Sequence, residues 1–154
     1  MTTPLHRTRS FPLAITKFTV TTIPVTMNPV VICRALGDPV RWRIARLVAR
    51  DALCVCELAD ILGMPQSSVS SHVQVIRRAG LLESEKCEKW TYFRIEPKLL
   101  KLLRAIEATA ESPDRAWAAD DRKTLQRLAR RDDSCCPGPK ILTKKSLRNT
   151  TYTP

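Results

Sequence analysis

A chain of 154 residues that is 44% hydrophobic and only 5% aromatic holds material for one domain with a mainly aliphatic, helix-leaning core, which argues against a multidomain enzyme. Its formal net charge of +11 is uneven: residues 1–26 carry three basic groups and residues 137–154 carry four, neither with an acid, which leaves +4 for residues 27–136. A basic balance suits a phosphate-bearing partner, because Lys and Arg displace counterions condensed on nucleic acid, whereas no run of about 18 apolar residues is present to span a bilayer.

Residues 1–26 are rich in Thr and Pro without a sustained period and read as a disordered tail. FPLAITKFTV is interrupted by Lys17 and lacks the clean apolar core and cleavage site of an export signal, so the expected location is the cytoplasm. Met27, where the patterned sequence begins, is an alternative translation start. A first helix is expected over 29–36, stopped by Gly37, with Asp38 capping a second over 39–49. Trp42, Ile44, Ala45, Leu47 and Val48 give that second helix a broad apolar face. A short third helix spans 55–62, Gly63 and Met64 turn the chain, and Pro65 opens a fourth helix that ends before Gly80.

The period then changes. LLESEKCEKWTYFRIEP reads as two strands, 81–85 and 89–95, around a polar tip. From Pro97, KLLKLLRAIEATA is strongly amphipathic, and after Ser112-Pro113 a last helix fits 114–130. SCCPGP and a basic end follow without a packing signal. The organisation is therefore a tail over 1–26, a domain over 27–131 and a flexible, cysteine-containing basic tail over 132–154.

Helix, short helix, turn, helix, hairpin is the order of a winged helix-turn-helix, mostly α with a two-stranded β-hairpin wing. On the fourth helix Val69, Val73 and Ile76 share one side, while Ser67, Ser71, Gln74 and Arg78 fall opposite. With Gln66, Ser68 and Ser70, these are the candidates for DNA contact: Ser and Gln bond base edges or phosphates, and Arg78 is placed for the backbone. Lys86 and Lys89 offer the wing's phosphate contacts, opposed by Glu85 and Glu88. The bland alternative is a solvated helix face. His72, beside the apolar stripe, reads as a packed structural residue, and Cys87, at the exposed tip, as a bystander.

Six cysteines in a chain large enough to fold without staples read as free thiols. Cys54 and Cys56 stand at the entrance of the third helix. Two residues apart on a helix, side chains point about 200° from each other, so the pair shares one ion only where the chain around Val55 is extended or distorted. Chelation is then expected to compete with the first helical turn. Thiolates suit soft thiophilic centres, and a helix N-terminus eases deprotonation. The bland alternative is a pair of buried small hydrophobes. No second C-x-x-C or H-x-x-x-H completes a structural zinc site, and no C-x-x-C, phosphate loop or nucleophile elbow suggests an enzyme.

LCVCELADILGMPQSSVSSHVQVIRRAGLLESEKCEKWTYFRIEP resembles the ArsR/SmtB family of metal-sensing repressors, and its arsenic-responsive members in particular. The resemblance covers residues 30–103 and rests on LCVCEL and on S-x-H followed by R-R-A-G-L-L into W-x-Y-x-R-I. It implies a homodimer formed through the first and post-hairpin helices, with Cys33 buried at that contact. It also implies repression of a metalloid-resistance operon, with release from double-stranded operator DNA when arsenite or antimonite binds as inducer. There is no permanent cofactor. Cys54 and Cys56 match the first two thiols of the pattern E-L-C-V-C-D-L-C, but Ala59 stands where the third would be, Glu57 replaces Asp, and Ala52 replaces Glu. Cys135 and Cys136 are the candidates for a further thiolate. A repressor of the same fold answering to redox state, or to another thiophilic metal, is the alternative.

Overall fold

The computed structural model describes residues 20–21, 28–110, 114–131 and 136–142. Its elements are β1 (Val20–Thr21), α1 (Pro29–Leu36), α2 (Pro39–Arg50), β2 (Leu53–Cys54), α3 (Val55–Leu62), α4 (Gln66–Arg78), β3 (Leu82–Cys87), β4 (Trp90–Ile95), a 3-10 turn at Pro97–Leu99, α5 (Leu100–Glu107) and α6 (Arg115–Ala129). Local signals set the helix starts. Asn28 accepts from the Val30 N–H and Asp38 from the Arg41 N–H, both at 2.9 Å, satisfying N–H groups that have no intrahelical partner. Gly63, at φ 66°, closes α3 in the left-handed region, where any side chain would be strained.

The core lies between α2, α3, α4 and the inner face of the wing. Ile44, Leu53, Leu58, Val69, Val73, Ile76 and Ile95 are wholly buried there, as the helical periods require. In the sheet, order β1-β3-β4-β2, all pairs are antiparallel. Leu82 faces Ile95 and Cys87 faces Trp90 across the hairpin, which turns at Glu88 with φ 55°. Ion pairs fasten the last helices to α2: Arg43 grips Asp120 at 2.7 and 2.8 Å, Arg46 meets Glu107 at 2.7 Å, and Arg50 meets Asp121 at 2.7 Å.

Three expectations change. The helix expected from Pro97 opens with a 3-10 turn and becomes α-helical only at Leu100. Val20–Thr21, within the segment read as a tail, forms an edge strand against β3; the rest of residues 1–26, and Met27, lie outside the described residues. The largest change is at the other end. Residues 136–142 were expected to be unpacked, yet Cys136 and Leu142 are wholly buried against the outer face of the hairpin, in a second cluster with Ala52, Cys54, Cys87 and Tyr92. Cys87 is thus a buried residue rather than an exposed tip thiol. An irregular segment has no hydrophobic period, so nothing in its pattern announces that it packs.

Replacing Ile61, 1% exposed on α3, with Ala is expected to cost about 2–5 kcal/mol of stability; urea unfolding followed by far-UV circular dichroism measures it.

Candidate thiol centre and nucleic-acid interface

Cys54 is the N-cap of α3, with φ −89° and ψ 168°, so its backbone is extended while the helix begins intact at Val55. β2 creates that geometry by pairing Leu53 with Phe93 and Cys54 with Tyr92. From the N-cap a side chain folds over the first helical turn, and the Cys54 and Cys56 sulfurs come to 2.8 Å without any loss of helix. The distortion around Val55 that the spacing predicts is therefore not needed for the two sulfurs to meet.

The third thiol comes from Cys136, whose Sγ lies 2.9 Å from Cys56 and 3.6 Å from Cys54. All three ligand atoms lie within 4.8 Å of one another, a group of two buried cysteines and the half-buried Cys56 that could hold a metal ion. The centre of a triangle with sides of 2.8, 2.9 and 3.6 Å is only about 1.8 Å from each sulfur, inside the ~2.3 Å of a metal–thiolate bond. Sulfurs this close have to spread slightly to admit such a centre, and a cap residue and an irregular segment leave two of the three free of a helical ladder. Cys135 lies outside the described residues, Cys33 is exposed on α1, and Cys87 is buried apart from the triad.

Charged groups hold the triad in place. Glu57, wholly buried, accepts the Cys54 backbone N–H at 3.0 Å, and Arg131 grips its carboxylate at 2.8 and 3.1 Å while donating to the Ala52 carbonyl at 2.6 Å. Arg131 follows α6, so this ion pair brings the chain past α6 to the foot of α3. Gly138, at φ 90°, turns against it: a Cβ there would lie 3.3 Å from Arg131 Cδ. The Tyr92 hydroxyl accepts from the Gly138 N–H at 2.8 Å. Burial first, and the hydrogen bond with Cys56 second, push the Cys54 thiol well above the ordinary cysteine range. The expected easing of deprotonation by the helix N-terminus is outweighed, because desolvation penalises the thiolate.

The structure brings the expected thiols Cys54, Cys56 and Cys136 together and sets Glu57, Tyr92 and Arg131 around them, residues to which the sequence pattern assigns no such place. One signal was readable: Cys54-x-x-Glu57 has the spacing of a capping box.

On α4, Gln66, Ser67, Ser71 and Arg78 are exposed, and Ser68, Ser70 and Gln74 are half-buried. The Ser71 hydroxyl donates to the Ser67 carbonyl at 3.0 Å, and His72 stands 3.7 Å from Asp38, tying α4 to the start of α2. Lys86 and Lys89 are exposed on the wing, Lys89 over the Trp90 ring at 4.5 Å. The thiols and the helix meet at a cleft of about 460 Å³ lined by Cys54, Cys56, Gln66, Gln74, Trp90 and Thr91 among others.

The family model described as "Bacterial regulatory protein, arsR family" matches residues 38–84. The chain is 30% identical over 110 residues to the arsenical resistance operon repressor of Escherichia coli, covering 69% of this chain and 89% of that one. To the arsenic resistance transcriptional regulator ArsR1 of Pseudomonas putida it is 29% identical over 109 residues, covering 70% and 85%. Its fold is similar to the homodimeric winged helix-turn-helix DNA-binding domain Mb0332 of Mycobacterium bovis, with a TM-score of 0.51 at 24% identity over 53% of this chain and 77% of that one. With a helix-turn-helix, a wing and relatives of this kind, the chain belongs to the ArsR/SmtB family of DNA-binding transcriptional repressors.

Proposed function

We propose that this repressor leaves its operator DNA in the cytoplasm when trivalent arsenic or antimony binds Cys54, Cys56 and Cys136. The observation that carries the reading is the meeting of three sulfurs from two distant parts of the chain. Arsenous acid, As(OH)₃, exchanges its three hydroxyls for three thiols: three As–O bonds break, three As–S bonds form, and the thiol protons leave as three waters. Reactants and products are neutral, which suits a centre beside the buried Glu57 carboxylate. A divalent cation on three thiolates would leave a buried net negative charge, which low-dielectric surroundings penalise.

The α4 residues Gln66, Ser67, Ser68, Ser70, Ser71, Gln74 and Arg78 supply the major-groove contacts, with Lys86 and Lys89 on the wing. The cleft supports the coupling, because Gln66 and Gln74 share it with two of the thiols, so rearrangement there biases the reading helix directly. A homodimer is supported by an apolar groove formed by Ile32, Cys33, Leu36, Trp42, Leu102 and Ile106 of α1, α2 and α5, where Leu102 and Ile106 are exposed in the single chain. Redox control is the second reading, favoured by the 2.9 Å between Cys56 and Cys136; peroxide would oxidise the pair to a disulfide with release of two waters.

A gel shift with the chain's upstream DNA, titrated with arsenite, antimonite, cadmium, zinc and peroxide, tests the reading: arsenite and antimonite are expected to release the DNA at the lowest concentrations. Cys54→Ser and Cys56→Ser are each expected to keep repression and lose arsenite release, as a reporter under the native promoter would record. Arg78→Ala is expected to weaken binding to all sequences and lower the salt slope by about 1, while Gln74→Ala alters preference at one base pair by about 1–3 kcal/mol; salt titration and footprinting separate them. Ile106→Glu is expected to give a monomer in sedimentation.

A further inference from the structure

Cys136 belongs to a short irregular strap, and three successive amides of that strap are held by one carboxylate. Glu85, in the middle of β3, is wholly buried. Its Oε1 accepts the N–H of Lys140 at 2.8 Å, its Oε2 accepts that of Leu142 at 2.9 Å, and the Ile141 N–H donates to both at 2.9 and 3.1 Å. Three successive backbone amides thus converge on one side chain. Arg94 Nη1 donates to the Leu142 carbonyl at 2.9 Å, and Tyr92, directly across from Glu85 in the hairpin, holds Gly138. A buried carboxylate without donors is costly, and hydrogen bonds to a charged acceptor are the strong ones. The strap and Glu85 therefore need each other.

Cys54 and Cys56 do not depend on this arrangement, since α3 and β2 place them. They line the cleft by Trp90 and Thr91, Cys54 buried and Cys56 half-buried, whereas Cys136, in the strap, is wholly buried and does not line it. The site is a fixed pair of thiols plus a third that a separate device delivers.

We propose that Glu85 is the specificity-determining positioning residue of the thiol centre: by docking the strap it supplies Cys136, and so sets the site to answer to trivalent arsenicals with three exchangeable ligands. The inference rests on the three-thiol reading above. A monoaryl arsenical such as phenylarsine oxide, hydrated to C₆H₅As(OH)₂, has only two exchangeable hydroxyls. It condenses with two thiols, releases two waters, and retains its As–C bond. Cys54 and Cys56 suffice for it, and the cleft of about 460 Å³ beside them has room for the ring. Loss of the strap should therefore damage the arsenite response and spare the aryl response, a split that general loss of structure would not produce.

The experiment uses the full chain bound to fluorescent upstream DNA, with the midpoint of release measured for arsenite and for phenylarsine oxide against each variant's own DNA affinity. Glu85→Gln keeps the shape but presents an amide to the strap's N–H groups. It is expected to raise the arsenite midpoint by about 10–100-fold, the usual effect of removing a group that orients a ligand, and to leave the phenylarsine oxide midpoint unchanged. Tyr92→Phe, which removes one strap bond, should move in the same direction by less, and answers the question if Glu85→Gln fails to fold. Cys136→Ser sets the limit. The assignment of Glu85 is overturned if Cys136→Ser loses the arsenite response while Glu85→Gln and Tyr92→Phe keep the wild-type midpoints, or if those two variants lose both ligands equally. Wild-type arsenite release by Cys136→Ser would instead overturn the three-thiol reading itself, and the role of Glu85 with it.

Discussion

The two-residue pairing of Leu53 and Cys54 with β4 is the constraint on which the rest of the molecule turns. It ends the passage from α2 in extended backbone and begins α3 on the next residue, so Cys54 is at once the last residue of a strand and the cap of a helix. The strand half fixes where the wing lies relative to the helices. The helix half fixes α3, and α3 packs closely on the reading helix α4. Because the N-cap lies outside the helix, its side chain reaches the side chain two residues on, which the regular helical period forbids. A thiol pair, a wing and a helix-turn-helix are thereby registered to each other through a single peptide segment.

Two buried carboxylates then decide where the chain goes after α6. Glu57 receives Arg131 and the Cys54 amide, and Glu85 receives the amides of residues 140–142. Removing one partner of the Glu57–Arg131 pair leaves an uncompensated buried charge, at a cost of about 3–5 kcal/mol, and removing Glu85 strands three amide N–H groups, so each carboxylate fixes its partner's position through directional bonds. Cys136 lies between these two anchors in the chain, and its sulfur falls on the thiol pair. The hairpin consequently serves two layers: Phe93 and Ile95 face the helical core, and Tyr92 and Arg94 face the strap.

Under the proposed function this arrangement supplies a physical route from ligand to DNA. The strap touches the outer face of the wing, the thiols sit at the foot of α3, and the cleft beside them is shared with α4. The proposed bridge across the three sulfurs would join elements that in the free protein are held by hydrogen bonds and packing, and a ligand biases an equilibrium only through such a difference between states.

The sequence by itself determined the helices, the wing and the inward and outward faces of α4. Those features follow from local chemistry: Asp38 as a cap, Gly63 as a stop, Val69, Val73 and Ile76 on a helical period, and the change to strand alternation after Gly80. It also singled out Cys54 and Cys56, through their spacing and through the family resemblance of LCVCEL. Tertiary structure alone decided the rest. That the two thiols converge without unwinding α3 depends on β2 pairing with a strand almost forty residues away. That Cys136 joins them depends on Glu57 and Glu85, whose partners lie 74 and 55–57 residues distant. A buried carboxylate looks in sequence like any exposed one, and an irregular strap carries no period, because its contacts are individual hydrogen bonds rather than a repeating apolar face.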